Sequence, residues 1–420
     1  MWLLDRFLKR IVRRGELTAI EADGTIHRYG TPDPGFKPVT IRFTDAGAPN
    51  FIARDPRIGA GEAYMDGRML FDQGDILDLA RLIRGNAPWG GGEKLAAPNP
   101  LKRAADWAIS AFGRLSWERR SKRNVAHHYD LSDRLYDLFL DSDRQYSCAY
   151  FTDPGNSLEQ AQADKKAHIA AKLYLKPGQR VLDIGCGWGG LALYLNRVAD
   201  VDVLGITLSE EQLKVARDRA AAAGVSDRVR FELMDYRRVE GRFDRIVSVG
   251  MFEHVGPPHY PAFFRHCRNL LTDDGVMLLH TIGRYGKPGT TDAWTRKYIF
   301  PGGYIPALSE IVSASERTKL MIADIETLRL HYGLTVRHWY DRAVANRAAI
   351  EALYDERFFR MWQFYLAGAI IPFETGGMCN YQIQYVRRRD ALPITRDYLA
   401  ENEARLRSVP LPAGEGRAGA

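Results

Sequence analysis

Cysteine is scarce in this chain of 420 residues, which has only four, at positions 148, 186, 267 and 379. No two of them form a C-x-x-C pair, so a disulfide framework and a cysteine-based zinc site are excluded. We interpret them as reduced thiols in a cytosolic protein. Long apolar runs are missing too: none reaches the roughly 18 residues of a membrane span. The N-terminus also lacks the continuous apolar core of a secretory signal, so we expect none.

The composition is that of an ordinary globular protein, with 45% apolar and 26% charged residues. The length predicts two or three domains. A formal net charge of +7 and a pI near 9.1 favour an anionic partner, which leaves nucleic acid and an anionic lipid surface both open.

Residues 1–88 predict a small α+β domain that contacts lipid, a membrane or a second copy. Residues 1–14 carry apolar side chains at helical spacing opposite a row of basic ones. Such a helix either lies in a membrane interface or packs on its own domain. A hairpin around Asp23-Gly24, an alternating strand at 39–43 and a helix at 76–83 follow.

Two further segments flank the main domain. Residues 89–123 predict a linker rich in Gly and Pro and then a basic helix that ends in Arg119–Arg123. That basic run is either a solvated face or a contact for phospholipid head groups. The small, polar residues 409–420 predict a disordered tail.

Residues 124–408 predict an α/β domain, because strand and helix patterns alternate from residue 180 onward. We expect a doubly wound, Rossmann-like sheet of seven strands. The predicted strands cover 180–184, 201–206, 229–234, 243–248, 275–281, 334–340 and 380–388, and the predicted helices 210–223, 260–271 and 341–366. Residues 282–322 break the pattern with Gly and Pro, and we predict that they form a lid over the ligand crevice.

The first strand of this sheet ends in a glycine turn with the spacing Asp183-x-Gly185-x-Gly187-x-Gly189. Backbone N–H groups at such a turn lie close to a ligand, and the carboxylate beside it suits a cationic or amine-bearing one. The spacing differs from the dinucleotide fingerprint G-x-G-x-x-G. It resembles motif I of the S-adenosylmethionine-dependent methyltransferases, while a tight turn in another α/β protein is the alternative.

The next strand ends predict further ligand contacts. Thr207 stands where nucleotide-binding sheets usually place an acid, so Thr207, Ser209 or Gln212 would have to bind the ribose hydroxyls. Ser209 is also the expected cap of the following helix. Tyr236 follows the third strand, at the position of an adenine.

The fourth and fifth predicted strands run into polar groups that could face a reaction. Glu253 and His254 follow the fourth strand and His280 lies near the end of the fifth. The two histidines could instead bind a metal, but no third ligand has a useful spacing, so we expect no metal.

Several ordered motifs together resemble the cyclopropane-fatty-acyl-phospholipid synthase family. They are Asn124 to Asp130 (NVAHHYD), Tyr146 to Phe151 (YSCAYF), Leu182 to Gly190 (LDIGCGWGG), Gly205 to Ser209 (GITLS), Phe243 to Gly256 (FDRIVSVGMFEHVG) and His331-Tyr332. The resemblance spans about residues 124–389. Gly61 to Gly67 (GEAYMDG) is similar to the extra N-terminal domain of the bacterial two-domain enzymes.

The resemblance implies transfer of a methylene group from S-adenosylmethionine to the cis double bond of a phospholipid acyl chain. Family members bind bicarbonate as the base at positions that match Cys148, Glu253, His280, the backbone at Ile282, and Tyr332. Cys148 would then be a hydrogen-bonding residue and not a nucleophile, with a buried small side chain as the alternative. The implied cofactor contacts are Tyr146, Ser147, Gly185, Gly187, Thr207, Ser209, Gln212, Tyr236 and Val249.

The resemblance also implies a cytoplasmic enzyme that is peripherally attached to the inner face of the membrane. Family members can dimerise through the N-terminal domain, so a homodimer is one option. The nearest rival is a lipid methyltransferase that leaves a methyl branch or a methylene. We do not favour a nucleic-acid methyltransferase, because no base-handling motif or RNA-binding module is recognisable. The intact loop from Asp183 to Gly189 argues against a non-catalytic lipid-binding scaffold.

Overall fold

The structure is a computed structural model that describes residues 1–87 and 132–409. The predicted linker, the basic run and the first family motif lie at 88–131, outside the described residues, as does the predicted tail from residue 410. The chain divides into two compact units. The described part of the first comprises residues 1–87, 291–301 and 336–377, and that of the second residues 132–290, 302–335 and 378–409.

The first unit is an α+β unit around a four-stranded sheet with the strand order β2-β1-β3-β4. The predicted hairpin is confirmed, with Ile20 opposite Ile26 and Gly24 in the left-handed region at φ +88°. The elements of this unit are α1 (Trp2–Ile11), β1 (Leu17–Ile20), β2 (Ile26–Tyr29), β3 (Val39–Phe43), α2 (Ala48–Arg54), α3 (Pro56–Met65), β4 (Met69–Gln73), α4 (Ile76–Gly85), α10 (Ala293–Tyr298), α13 (Arg347–Leu353) and α14 (Glu356–Glu374).

The first helix buries its apolar stripe within its own unit. Leu4, Leu8 and Ile11 are buried, whereas Trp2 is 66% and Leu3 49% exposed. The sequence left open whether this helix lies in a membrane interface or packs on its own domain. Packing on its own domain accounts for most of its apolar residues.

The first unit takes in two segments that the sequence placed in the catalytic domain, 291–301 and 336–377. Helix α14 packs against α3 and α4. The Tyr64 hydroxyl donates to Gln363 Oε1 at 2.6 Å, and Arg81 forms a two-point ion pair with Glu374. The sequence did not show that these two segments belong to the first unit, because the contacts that hold them there join residues nearly 300 positions apart.

The second unit contains the predicted seven-stranded sheet, in the order β10-β11-β9-β8-β5-β6-β7. Neighbouring strands from β9 to β7 are parallel, and β11 is antiparallel to both of its neighbours. The elements are α5 (Asp133–Asp137), α6 (Leu158–Leu173), β5 (Arg180–Ile184), α7 (Gly190–Ala199), β6 (Asp202–Thr207), α8 (Glu210–Ala222), β7 (Val229–Leu233), β8 (Phe243–Val249), α9 (Tyr260–Leu270), β9 (Leu271–Arg284), α11 (Leu308–Glu316), β10 (Met321–Leu328), the first turn of α12 (His331–Ala345), β11 (Met378–Val386) and α15 (Asp397–Arg407).

Helices cover both faces of this sheet, as expected for a doubly wound fold. Successive strand residues point to opposite faces. Leu182 on β5 therefore packs in a core with α9 and α11, while its neighbour Val181 packs in a second core with α6, α7 and α8.

The predicted strand at 334–340 is wrong: these residues belong to helix α12. Their β-branched and aromatic side chains favour a strand, but Tyr332, Val336, Trp339 and Ala343 are buried at helical spacing. The seventh strand is instead β10, which the sequence left unassigned. The predicted helix at 341–366 is broken into parts of α12, α13 and α14.

The predicted lid at 282–322 is not one structural piece. Helix α11 packs on α9 and contributes Ile311 and Ala314 to the sheet core, so it cannot be a separate cover. Residues around Tyr304 do lie at the ligand edge of the sheet, where the Tyr304 N–H donates to the Glu253 carbonyl at 2.9 Å.

Helix α6 is buried almost throughout, including Lys165, Lys166, His168 and Lys172. Its last carbonyls are capped by Arg245 of β8, which donates to Leu173 O at 2.6 Å and Tyr174 O at 3.0 Å. A buried guanidinium that satisfies carbonyls in this way anchors α6 to the sheet.

We predict that Arg245→Met destabilises the protein by about 2–5 kcal/mol, because several buried carbonyls lose their donor. Thermal unfolding followed by circular dichroism would measure it. Arg242→Met is the matched control, since exposed Arg242 donates to a single carbonyl, and we expect it to cost under about 1 kcal/mol. Equal losses in the two variants would contradict this account of the α6 anchor.

Candidate active site

A cavity opens at the carboxyl ends of β5, β6 and β8, within the second unit. The nine predicted cofactor residues that line it are Tyr146, Ser147, Asp183, Gly185, Gly187, Thr207, Gln212, Tyr236 and Val249. This is where a doubly wound sheet binds its ligand.

The glycine turn adopts backbone conformations that only glycine takes readily. Gly185 and Gly187 have φ of +85° and +56°. A Cβ on Gly185 would also lie 2.9 Å from that of Met251. Because these glycines have no side chain, the backbone of the turn is directly accessible from the cavity.

The Asp183 carboxylate is buried at the end of β5. Its Oδ2 has no hydrogen-bond partner within the described part of the chain. Burial raises the pKa of Asp183 to about 7, while the charge of Lys165 opposes that rise. A donor or cation on a ligand would supply the missing partner.

Thr207, Ser209 and Gln212 form a small network at the end of β6. The Thr207 hydroxyl donates to Gln212 Oε1 at 3.0 Å. Ser209 caps α8 by accepting from the Gln212 N–H at 3.3 Å. Ser209 does not line the cavity. Its contacts in the structure are those of the helix cap that the sequence predicted.

Gly189 does not line the cavity either. It is the residue just before α7 and has a φ of +83°, and a Cβ there would lie 2.6 Å from the Phe231 ring. Close packing accounts for a glycine at this position, and its contact with the cofactor stays a prediction.

Residues 141–147, which we call the cover segment, lie against the glycine turn. Asp143 is buried and accepts from Lys166 at 2.6 Å and from Arg219. A Cβ on Gly190 would lie 2.4 Å from Asp143, so the carboxylate sits directly on the start of α7. The cover segment thereby holds Tyr146 and Ser147 at the cavity.

Lys165 is the main cavity residue that the sequence did not reveal. Its ammonium donates to Gln145 Oε1 at 2.7 Å and to the Ser147 hydroxyl at 2.8 Å. Burial lowers the pKa of Lys165 to about 8. Helix α6 is buried, so its sequence shows no polar face from which Lys165 could be distinguished as a cavity residue. The only signal in the sequence is the high density of charged residues in α6.

Glu253 and Ile282 are joined directly, beyond the cavity lining. The Ile282 N–H donates to Glu253 Oε1 at 2.6 Å, and Glu253 Oε2 has no hydrogen-bond partner in the described residues. Burial raises the pKa of Glu253 to about 7. The carboxyl group is therefore poised to exchange a proton near neutral pH.

The neighbours of Cys148 and Tyr332 are joined to each other, and His280 is linked to Ile282 through β11. The Ala149 N–H donates to Thr335 Oγ1 at 3.0 Å, which ties the segment that contains Cys148 to the first turn of α12, where Tyr332 lies. Cys148 is buried and burial raises the pKa of its thiol, as expected for an inert side chain. His280 contacts Asn380, the residue opposite Ile282 on β11.

No three His, Cys, Asp or Glu side chains are grouped as a metal site in the parts of the chain that the structure describes. Nor does any described helix have the length and apolar content to span a bilayer.

Comparisons with known proteins agree with this architecture. A solved structure, the mycolic acid cyclopropane synthase CmaA1 complexed with SAH and CTAB, superposes with a TM-score of 0.59 at 33% identity, covering 63% of this chain and 97% of that one. The fold and the cavity thus define a class I S-adenosylmethionine-dependent methyltransferase.

The family follows from sequence. The model of the mycolic acid cyclopropane synthetase family matches residues 117–383. The cyclopropane-fatty-acyl-phospholipid synthase of Escherichia coli K12 is 37% identical over 87% of this chain and 92% of its own. The tuberculostearic acid methyltransferase of Mycobacterium tuberculosis is 35% identical over 92% and 91%. The chain belongs to the cyclopropane synthase family, which confirms the resemblance drawn from its motifs.

We predict that Glu253→Gln stabilises the protein at pH 8 but not at pH 5. The folded-state pKa near 7 exceeds the ordinary 4.5, so the folded protein holds this proton more tightly. Wild-type stability therefore falls as pH rises from about 4.5 to 7, at a cost on the order of 3 kcal/mol. Thermal unfolding of both proteins at the two pH values measures the difference. A difference that is independent of pH would contradict the buried-carboxyl account.

Proposed function

We propose that this enzyme transfers a methylene group from S-adenosylmethionine to the cis double bond of an unsaturated phospholipid acyl chain, which forms a cyclopropane ring. The observation that carries the proposal is the Glu253 carboxyl group, held by the Ile282 amide with its second oxygen unpaired among the described residues. Cys148, Glu253, His280, Ile282 and Tyr332 are the proposed base site.

The cavity residues fit S-adenosylmethionine. Asp183 offers an unpaired carboxylate oxygen to a positive group, and Thr207 with Gln212 offers polar atoms for the ribose. Tyr236 and Val249 supply apolar surface at the ends of the third and fourth strands. When bound, this cofactor supplies an electrophilic methyl group. The chain holds it so that the methyl can meet an alkene carbon.

The base site would act after the methyl transfer, in the step that closes the ring. The alkene donates its electron pair to the methyl carbon as the S–C bond breaks, which leaves a carbocation on the acyl chain. A base must then remove a proton from the new methyl group, so that the C–H electron pair closes the ring. A carboxylate near the cation would also stabilise it electrostatically.

The residues of the base site fit bicarbonate as that base. Glu253 can exchange a proton near pH 7, so its Oε2 can hydrogen-bond an anion and pass a proton to or from it, which a Gln amide cannot do. Since the Ile282 N–H is already engaged by Glu253, we assign it the role of holding that carboxyl group. Cys148, His280 and Tyr332 would complete the set of polar groups around the anion.

A related reaction is the second candidate, because the family includes relatives named for other products. One is the tuberculostearic acid methyltransferase reported above, and another is a probable fatty acid methyltransferase of Pseudomonas putida. Such an enzyme shares the methyl transfer and differs in the fate of the carbocation. The base site favours the ring over a product that keeps the methyl group intact, because ring closure requires that a proton is removed from that group.

We also propose that the enzyme docks on the cytoplasmic face of the membrane, as its phospholipid substrate requires. Exposed Trp2 and Leu3 stand at the start of α1, beside the basic side chains of Arg6, Lys9 and Arg10. Tryptophan favours the membrane interface and basic residues favour anionic head groups. A homodimer through the N-terminal unit stays a prediction.

We predict that the purified enzyme adds the mass of one CH₂ group to vesicles of a cis-monounsaturated phosphatidylglycerol, with loss of the double bond. Mass spectrometry before and after mild hydrogenation separates a ring from a retained alkene. Glu253→Gln should bind S-adenosylmethionine normally and lose at least about 100-fold in turnover. A product that keeps its unsaturation would refute the cyclopropane assignment, and near wild-type turnover of Glu253→Gln would remove Glu253 from the reaction.

We predict that the double variant Trp2→Ser, Leu3→Ser binds anionic vesicles about fivefold more weakly, because the interfacial anchor is lost. Vesicle co-sedimentation measures this. The control is Ile394→Ser, which removes a fully exposed apolar side chain of the second unit and should leave binding unchanged. The opposite ranking of the two variants would move the docking surface away from α1.

A further inference from the structure

His280 lies on β9 with an exposed fraction of 1%, and each ring nitrogen faces an amide side chain of β11. Nδ1 is 3.1 Å from Gln382 Nε2, and Nε2 is 3.2 Å from Asn380 Nδ2. Gln382 stands directly opposite His280 in the antiparallel pairing. The protonation of this imidazole is therefore set by which way the two amides point.

The Gln382 amide has only one orientation that satisfies its other contact. Lys172 Nζ donates to Gln382 Oε1 at 2.8 Å. Lys172 also forms an ion pair with Glu326, so it is an ammonium group and has no lone pair with which to accept. The carbonyl end of Gln382 must face Lys172, and its NH₂ end must face His280.

An amide NH₂ group can only donate, so Nδ1 of His280 has to be the acceptor. The proton of the neutral ring is then on Nε2. Burial, together with the nearby charges of Lys165, Lys172 and His168, holds the pKa of His280 well below its ordinary value. The ring is consequently neutral at physiological pH.

The Nε2–H group needs an acceptor of its own. Asn380 Oδ1 has no hydrogen-bond partner in the described residues, so a half-turn of the Asn380 amide would supply one. A bound anion could replace it.

We propose that Lys172 and Gln382 are positioning residues that hold His280 as a neutral imidazole with its proton on Nε2. In this form His280 donates a hydrogen bond to the anionic base and does not itself take the proton from the methyl group. The identity of that anion rests on the proposed function, whereas the tautomer does not.

The test is the tautomer of His280 in the full-length protein labelled with ¹⁵N-histidine. Long-range ¹H–¹⁵N NMR distinguishes a protonated from an unprotonated ring nitrogen, and His280→Gln identifies the signals by their loss. We expect the Nε2–H form in the wild type. In Gln382→Glu the carboxylate retains Lys172 as partner but can only accept, so Nδ1 should gain the proton. Turnover should fall at least about 100-fold, while S-adenosylmethionine affinity stays unchanged.

Gln384→Glu is the matched control on the same strand. Gln384 is equally buried, but it contacts the Lys172 carbonyl and the Tyr398 hydroxyl instead of His280. The His280 signals of the Gln384→Glu variant should match those of the wild type, even if the variant is less stable. If Gln382→Glu does not fold, Lys172→Met should give a mixture of the two tautomers, because the amide is no longer oriented.

A wild-type proton on Nδ1, or an unchanged tautomer in Gln382→Glu, would overturn the inference. A reversed tautomer with full turnover would show that His280 does not donate in the reaction. If the wild type forms no ring but the tautomer reverses as expected, the proposed function fails and the positioning role stands.

Discussion

The site depends on one buried carboxyl group, that of Glu253. It follows the end of β8, and only one of its oxygens is satisfied within the described chain, by the Ile282 N–H. Leaving such a group buried costs free energy that the surrounding sheet must supply. The parallel pairing of β8 with β9 brings Ile282 to this carboxyl group, and the antiparallel pairing of β9 with β11 places Asn380 opposite Ile282 and Gln382 opposite His280. An unpaired oxygen maintained at that cost is typical of a ligand site.

A second set of buried charges shapes the cofactor cavity. Asp143 of the cover segment forms ion pairs with both Lys166 and Arg219, and it rests on Gly190 at the start of α7. Lys165, the neighbour of Lys166, points instead to Gln145 and Ser147 in the cavity wall. The two adjacent lysines of α6 therefore have different roles. Lys166 holds the cover segment through Asp143, and Lys165 orders Gln145 and Ser147, which face the ligand cavity.

Much of the cofactor cavity was predictable from sequence because its residues stand at strand ends. Asp183, Thr207, Tyr236 and Val249 each follow or close an apolar run, and parallel strands bring such positions to one edge. Glu253 and His280 also stood at predicted strand ends, whereas Cys148, Ile282 and Tyr332 were reached only through family resemblance. Cys148 and Tyr332 come from separate segments that meet near the sheet through Thr335, and no local pattern encodes that meeting.

The failures have a common physical origin. In helix α12, Tyr332 and Trp339 fit both a strand pattern and a helical stripe, and tertiary burial decides between them. Gly189 was predicted as a ligand contact because it shares the spacing of its neighbours, and the Phe231 ring gives a packing reason for a glycine there that the sequence did not show. Helix α6 is buried almost throughout, so no apolar–polar alternation along its sequence marked Lys165 as a cavity residue.

In the proposed reaction a base removes one proton from the methyl group after this group reaches the acyl chain. The most direct measurement supplies S-adenosylmethionine with a fully deuterated methyl group and counts the deuterium atoms in the lipid product. We expect two of the three deuterium atoms to remain, both on the ring carbon. Retention of all three would mean that the methyl group is never deprotonated, and it would contradict the assigned role of the base site.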